Sequence, residues 1–345
     1  MSRWTTTFRL RLAGAFLRRA PARGWAALVY YTFLVRSFRR EQRAAFAGKK
    51  EHLVAAGVDP VRFTLRRNIH RLEKALIMRP RRSVFARDYI GETVAAYRKV
   101  LESDRTNDAR VLELKWFGDV LTQYFDAVGE DSTVDQARQE FRTLHPLPTC
   151  EPSSAPYSRA TLESQPCPVS FEQLHELFRR RRSTRWFLDR PVPRELVDQA
   201  IVAALQAPSA CNRQPFEFRV LDDPELRRTV ARIPAGTAGF ADNLPMVIVV
   251  VGKLNAYFDE RDRHVIYIDG ALASMSLMLA LVTLGLASCA LNWPDVEVRE
   301  LAMERALGLR AWERPIMLIG VGYPDPTGGI PYSEKSPLAV MRRYN

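Results

Sequence analysis

Residues 207–218 read Ala207-Pro208-Ser209-Ala210-Cys211-Asn212-Arg213-Gln214-Pro215-Phe216-Glu217-Phe218. Pro208 and Pro215 stiffen the stretch. Ser209, Asn212 and Gln214 offer both donors and acceptors, which suits the edge of a heteroaromatic ring. The segment follows a helix expected at 193–206 and leads into a strand expected at 216–221. Alone, such a stretch is more often a polar turn between elements. Upstream stands Arg181-Arg182-Ser183-Thr184-Arg185-Trp186-Phe187, at the end of a helix expected at 171–181. In an extended segment residues two apart share a face, so Arg181, Ser183 and Arg185 can address one anion. A basic helix end is also common for dipole reasons alone.

Working outward, strands and helices alternate. Met246–Val251 is a β-branched run of the kind buried on both faces of a sheet. A long apolar helix is expected at 265–284, a strand at 287–293, a helix at 296–307 and a strand at 316–322. That alternation predicts an α+β or α/β sandwich with a covered sheet. The apolar run Ile266–Leu286 is long enough to cross a bilayer, but Asp269, Gly270 and Gly285 favour a core helix.

Before this lie three different regions. Residues 1–50 hold twelve Lys or Arg against one acid, Glu41, so the net charge of +12 belongs to an arm and the rest is nearly neutral. A basic surface for nucleic acid is therefore not expected. Trp25, Tyr30, Tyr31 and Phe33 among the arginines suit either an anionic membrane surface or packing on the chain's own body or on a partner subunit. Residues 51–147 read as helices, with Phe63, Ile69, Leu72 and Leu76 on one stripe and Val111, Leu114, Phe117 and Leu121 on another. Arg67, His70, Arg71, Glu73 and Lys74 make a dense polar face, read first as a solvated surface and second as a substrate or partner contact. Residues 148–168 are a Pro/Ser-rich linker by composition, and 169–345 form the last unit. Cys150, Cys167, Cys211 and Cys289 make no C-x-x-C pair, and no metal site is expected.

The two quoted stretches resemble, in order and spacing, the R-R-S-x-R-x-F and A-P-S-x-x-N-x-Q-P-W-x-F signatures of the nitroreductase family, with Phe216 where Trp is usual. Asp269-Gly270-Ala271, Gly285–Cys289 and the Gly320-Val321-Gly322-Tyr323-Pro324 strand are similar to later family segments. The resemblance implies an α+β three-layer sandwich with a mixed or antiparallel central sheet, here preceded by an all-α region. It implies a homodimer, joined through the long central helices, with FMN at the subunit interface. Arg181, Arg182, Ser183 and Lys335 would meet the flavin phosphate and ribityl chain. Arg185 would sit by the pyrimidine edge, where a fixed cation favours the reduced ring. Pro208, Ser209, Ala210, Asn212 and Gln214 would reach the other subunit's flavin. Leu291, Asn292 and Trp293 would form the opposite wall, with a backbone amide near N5 and Trp293 narrowing the pocket. Arg185 and Asn292 are the catalytic candidates.

The implied activity is hydride transfer from NADH or NADPH through flavin N5 to a small-molecule acceptor, in the cytoplasm. Dehydrogenation or dehalogenation in the same pocket is a variant. The alternative is a flavoprotein with a regulatory or structural role, either peripheral on the inner membrane face through residues 1–50 or associated with a complex, in cell-envelope or polysaccharide biosynthesis.

Overall fold

The computed structural model describes residues 12–21, 23–35, 37–55, 57–144, 153–163 and 166–345. Cys150, the first residues of the basic arm and part of the 148–168 linker lie outside these.

Four strands make one sheet: β1 (Phe216–Leu221), β2 (Met246–Lys253), β3 (Ala287–Asn292) and β4 (Glu313–Gly322). Their order is β1-β2-β4-β3, with every neighbouring pair antiparallel. A single parallel bridge, Ser183 to Ser288, adds a short extended segment beside β3. The β2 run is buried on both faces, as its continuous β-branched sequence requires. Met246, Ile248 and Val250 join one apolar cluster; Val247, Val249 and Val251 join another on the opposite side. Each face carries helices, which gives three layers.

The chain's helices follow in order: α1 (Gly24–Val29), continued by a π turn Tyr30–Leu34, α2 (Arg39–Val54), α3 (Val58–Leu76), α4 (Ile90–Asp104), α5 (Val111–Ala127) and α6 (Ser132–Thr143). Then come α7 (Phe171–Arg180), α8 (Arg194–Ala204), α9 (Pro224–Ala231), α10 (Val265–Thr283) and α11 (Glu297–Leu307). Helices α3 to α6 share a separate core built from Leu65, Ile69, Leu72, Val94, Phe117 and Tyr124. Of the two expected stripes, Leu114, Phe117 and Leu121 are fully buried, but Val111 is 38% exposed. It is the first residue of α5, beyond the packed turns. Phe63 also departs from its stripe: it packs on the sheet's cluster and not on the helical one. Helix α3 therefore faces two cores, one on each side.

Helix α2 runs without a break across residue 50 and docks on the second half. Arg40 pairs with Glu304 at 2.5 Å, Arg43 with Glu297 at 2.6 Å and Lys49 with Glu260 at 2.9 Å. Gly48 sits against the Leu254 backbone, where an added Cβ would come within 2.7 Å. This part of the basic arm is thus matched by the chain's own acids.

Among the described residues one helix, Glu260–Thr283, is long and apolar enough to cross a membrane. It lies on the sheet: Ile266, Ala273, Leu277 and Leu281 are fully buried, and Gly270 lets Ile316 approach so closely that a Cβ there would meet its Cδ1 at 2.5 Å. Burial is one-sided, however. Ile268 and Leu272 stay 58% and 43% exposed, because the sheet can cover only one face.

Candidate flavin site

Helix α7 starts with a Ser170–Gln173 capping box and ends where Arg181 turns to extended backbone. The following residues are fastened to the sheet. Thr184 N–H donates to the Ser288 carbonyl at 3.0 Å, and Thr184 is buried. The Asn243 side chain accepts from Phe187 N–H at 2.7 Å and donates to the Phe187 carbonyl at 3.2 Å. Thr184 is turned inward, and Arg181, Arg182, Ser183 and Arg185 are half-buried around it. The Arg185 guanidinium lies 5.6 Å from the Phe240 ring centroid and donates to the Ser183 carbonyl at 3.4 Å. Burial pushes the Cys289 thiol up, against the opposing pull of Arg185 and Arg181.

Arg182 plays a different part. Its guanidinium donates to the carbonyls of Pro331 and Tyr332, which carries the chain's last segment back to α7. The result is a cavity of about 460 Å³ lined by His175, Arg179, Arg181, Arg182 and Lys335, among others. The structure thus brings Lys335 to Arg181 across more than 150 residues of chain. Among the described residues neither the Arg181 nor the Lys335 side chain has a carboxylate partner within 4 Å, whereas Arg179 and Arg180 are paired with Glu176.

The β3 wall departs from the expected one. Ala290 and Asn292 are exposed on one face of the strand, while the Leu291 side chain enters the opposite core. Strand alternation forces this. Ala290 therefore joins Asn292, and the Leu291 side chain does not. Trp293 does not stand over the wall as expected. Its indole N–H donates to Glu300 at 2.5 Å and its ring packs on the α9/α11 side. Glu300 is itself buried against Arg314, at 3.2 Å, which accounts for the tie.

The Ser209–Gln214 loop is held in a costly shape. Cys211, Asn212 and Gln214 all have φ near +50°, at 54°, 48° and 49°. Non-glycine residues there cost about 1 kcal/mol each, so neighbours must enforce the turn. Three bonds from α10 and α3 help to do so. Asp269 on α10 accepts from Ala210 N–H at 3.0 Å. Arg66 on α3 donates to the Asn212 carbonyl at 2.7 Å and to Gln214 Oε1 at 2.8 Å. Within the loop, Ser209 Oγ accepts from Gln214 N–H at 3.2 Å. Pro208 is exposed, with Ser209 and Ala210 half-buried behind it. Asp269 was legible as a lone acid in an apolar helix. Arg66 carried no signal, because α3 is rich in arginine throughout.

Among the described residues, no hydrogen bond, ion pair or ring contact joins this loop to the Arg181–Arg185 segment within one chain.

Residues 178–238 and 229–323 match the sequence model of the Nitroreductase family. Iodotyrosine deiodinase 1 of Pongo abelii is 25% identical over 194 residues, which covers 48% of this chain and 66% of that protein. The match therefore spans just under two thirds of the deiodinase's length. An NADH dehydrogenase of Thermus thermophilus is 29% identical over 180 residues, covering 43% of this chain and 85% of that one. Among solved structures, an FMN-dependent nitroreductase from Clostridium difficile R20291 is 26% identical, with a TM-score of 0.39 over 46% of this chain and 91% of its own. The family match falls in the C-terminal half of this chain, and the helical half lies outside it. Proteins of that family generally use FMN.

Proposed function

We propose that the chain is an FMN oxidoreductase that works as a homodimer and passes electrons from NADH or NADPH to a small-molecule acceptor. The observation that carries this reading is the cavity that brings Arg181 and Lys335 together with neither in an ion pair among the described residues: of its two carboxylates, Glu176 is taken by Arg179 and Arg180, and Glu334 accepts from the Lys335 N–H. A phosphate monoester fits that donor set: a fork from Arg181, a point charge from Lys335 and the Ser183 hydroxyl nearby. Bound FMN would supply two-electron redox chemistry that no side chain here offers.

The residues' own work follows from their placement. Arg181, Ser183 and Lys335 hold the phosphate, and Arg182 holds the tail that brings Lys335. Arg185, fixed over Phe240, presents a cation where negative charge is to be stabilised. Asn292 and Ala290 face outward on β3 and bound the pocket. The loop Pro208–Gln214 completes the site from a second copy. In support, α7 and α10 pack together, and Phe171, Leu174 and Phe178 on the one and Ile268 and Leu272 on the other are exposed. Exposed apolar side chains on two packed helices suit a subunit interface.

The absorbance spectrum of the purified chain, followed by anaerobic titration with NADH and with NADPH, tests the reading. Yellow protein that bleaches with one of them is expected. Colourless protein that takes up no added FMN would falsify it. The deiodinase relatives make a halogenated phenol the acceptor to assay beside a nitroaromatic.

A second reading concerns the arm. Leu17, Trp25, Leu28 and Phe33 are exposed among Arg18, Arg19 and Arg23, a composition suited to an anionic lipid surface. Sedimentation with anionic vesicles at low salt, with and without residues 1–38, tests it. Full-length protein left in the supernatant rules it out.

A further inference from the structure

We propose that Arg67, Arg71 and Arg213 form a binding site for the oxyanion of a small molecule, a phosphate or a carboxylate, at the seam between α3 and the Ser209–Gln214 loop. Arg67 and Arg71 are one turn apart on α3 and so share a face, where like charges repel. The three guanidiniums lie over aromatic rings: Arg67 over Phe258 at 4.9 Å, Arg71 over Tyr89 at 3.6 Å and Arg213 over Tyr257 at 5.0 Å. Stacking fixes a guanidinium by its face and leaves its N–H edge free to donate.

Those edges have no taker in the protein. Among the described residues none of the three side chains makes a hydrogen bond or has a carboxylate within 4 Å. Yet Arg213 is only 5% exposed. A guanidinium on so buried a residue ordinarily has an anion against it. The nearby acids are committed elsewhere. Glu92 accepts from Asn68 at 3.1 Å, Asp269 accepts from Ala210, and Glu73 accepts from the Trp116 indole at 2.8 Å. The Tyr257 hydroxyl is buried without a partner, a further donor beside Arg213. The arginines also feel one another: Arg67 is lowered first by burial, then by Arg71 and Arg213, while Glu92 and Cys211 pull the other way.

The same helix shows that the missing counterions are not a general habit. Arg62 and Arg66 are each matched to an acid, at Asp104 and Glu113. The site deepens the flavin reading and rests on it for the anion's role. Arg213 belongs to the loop that completes the second subunit's pocket, so the oxyanion is part of the acceptor or of the reductant.

The probes are inorganic pyrophosphate and malonate, titrated calorimetrically into the full chain and into Arg181→Ala, which disables the flavin-phosphate pocket. Binding of at least one probe is expected in both. Arg67→Gln/Arg71→Gln should weaken it by at least about tenfold in either background. Arg71→Gln alone, at a half-buried position, repeats the test if the double variant folds poorly. Pyrophosphate binding more tightly names a phosphate ester, and malonate binding more tightly names a carboxylate. No binding to Arg181→Ala, or binding that survives loss of both Arg67 and Arg71, overturns the proposal. Flavin uptake by Arg181→Ala is scored separately, so the two readings fail on different results.

Discussion

Two arginine runs, one in each half, are built on the same plan. In 62–71, Arg62 and Arg66 are tied to Asp104 and Glu113, while Arg67 and Arg71 have only rings beneath them. In 179–185, Arg179 and Arg180 are tied to Glu176 and Arg182 to backbone carbonyls, while Arg181 is free of acids and Arg185 rests over Phe240. In both, the matched arginines build the frame and the unmatched ones remain for a ligand. Counting positive charge would not separate the two kinds; partner geometry does.

The largest effect should come from a framing residue. Arg62→Met leaves Asp104 and part of Glu113 buried without their cation, and should cost about 3 kcal/mol in urea unfolding. A loss below about 1 kcal/mol would mean that the frame does not depend on this match. Arg66→Ala comes next. It removes the two bonds that α3 makes to the strained loop and leaves the one from Asp269, and about 2 kcal/mol of stability should go with it. Flavin retention should fall in parallel; unchanged retention would detach the helical half from the site.

Arg181→Ala should show the opposite profile. FMN affinity should drop by at least about tenfold, while stability stays within about 0.5 kcal/mol. A large unfolding effect would put Arg181 among the framing residues and end the comparison.

The smallest effect is a pH dependence at His52. Burial, joined by Arg213 and Arg67, holds its pKa below the ordinary 6.5, against the opposing bond to the Asn255 carbonyl. The folded chain therefore prefers the neutral ring. That contribution is complete above 6.5 and is lost as pH falls toward the lowered folded value. Thermal melts of the wild type should decline over that interval more steeply than those of His52→Gln.

Much of the second half was legible. The β2 run, the α10 span and both motif segments announce themselves through periodicity and residue type, and the strand at 216–221 fell where expected. The boundary at Glu313, three residues before the expected strand start, was hidden because Arg314 is a charged residue buried among acids. The one-sided burial of α10 could not be read either, since an all-apolar helix carries no moment to point with. On β3 the resemblance placed Leu291, Asn292 and Trp293 together, but a strand must turn neighbours to opposite faces. The helical half gave its elements and not its role. Phe63 looked like one more residue of its own stripe, and Arg66 fell outside the polar face of Arg67, His70, Arg71, Glu73 and Lys74.

Phe63 has a consequence for how the chain survives damage. Because α3 lends one side to each hydrophobic nucleus, the two halves are held by buried surface and by bonds such as Arg40–Glu304, independently of the peptide that links them. A molecule severed between residues 144 and 168 should therefore elute as a single particle. Expressed alone, the later half would bare the socket that Phe63 fills.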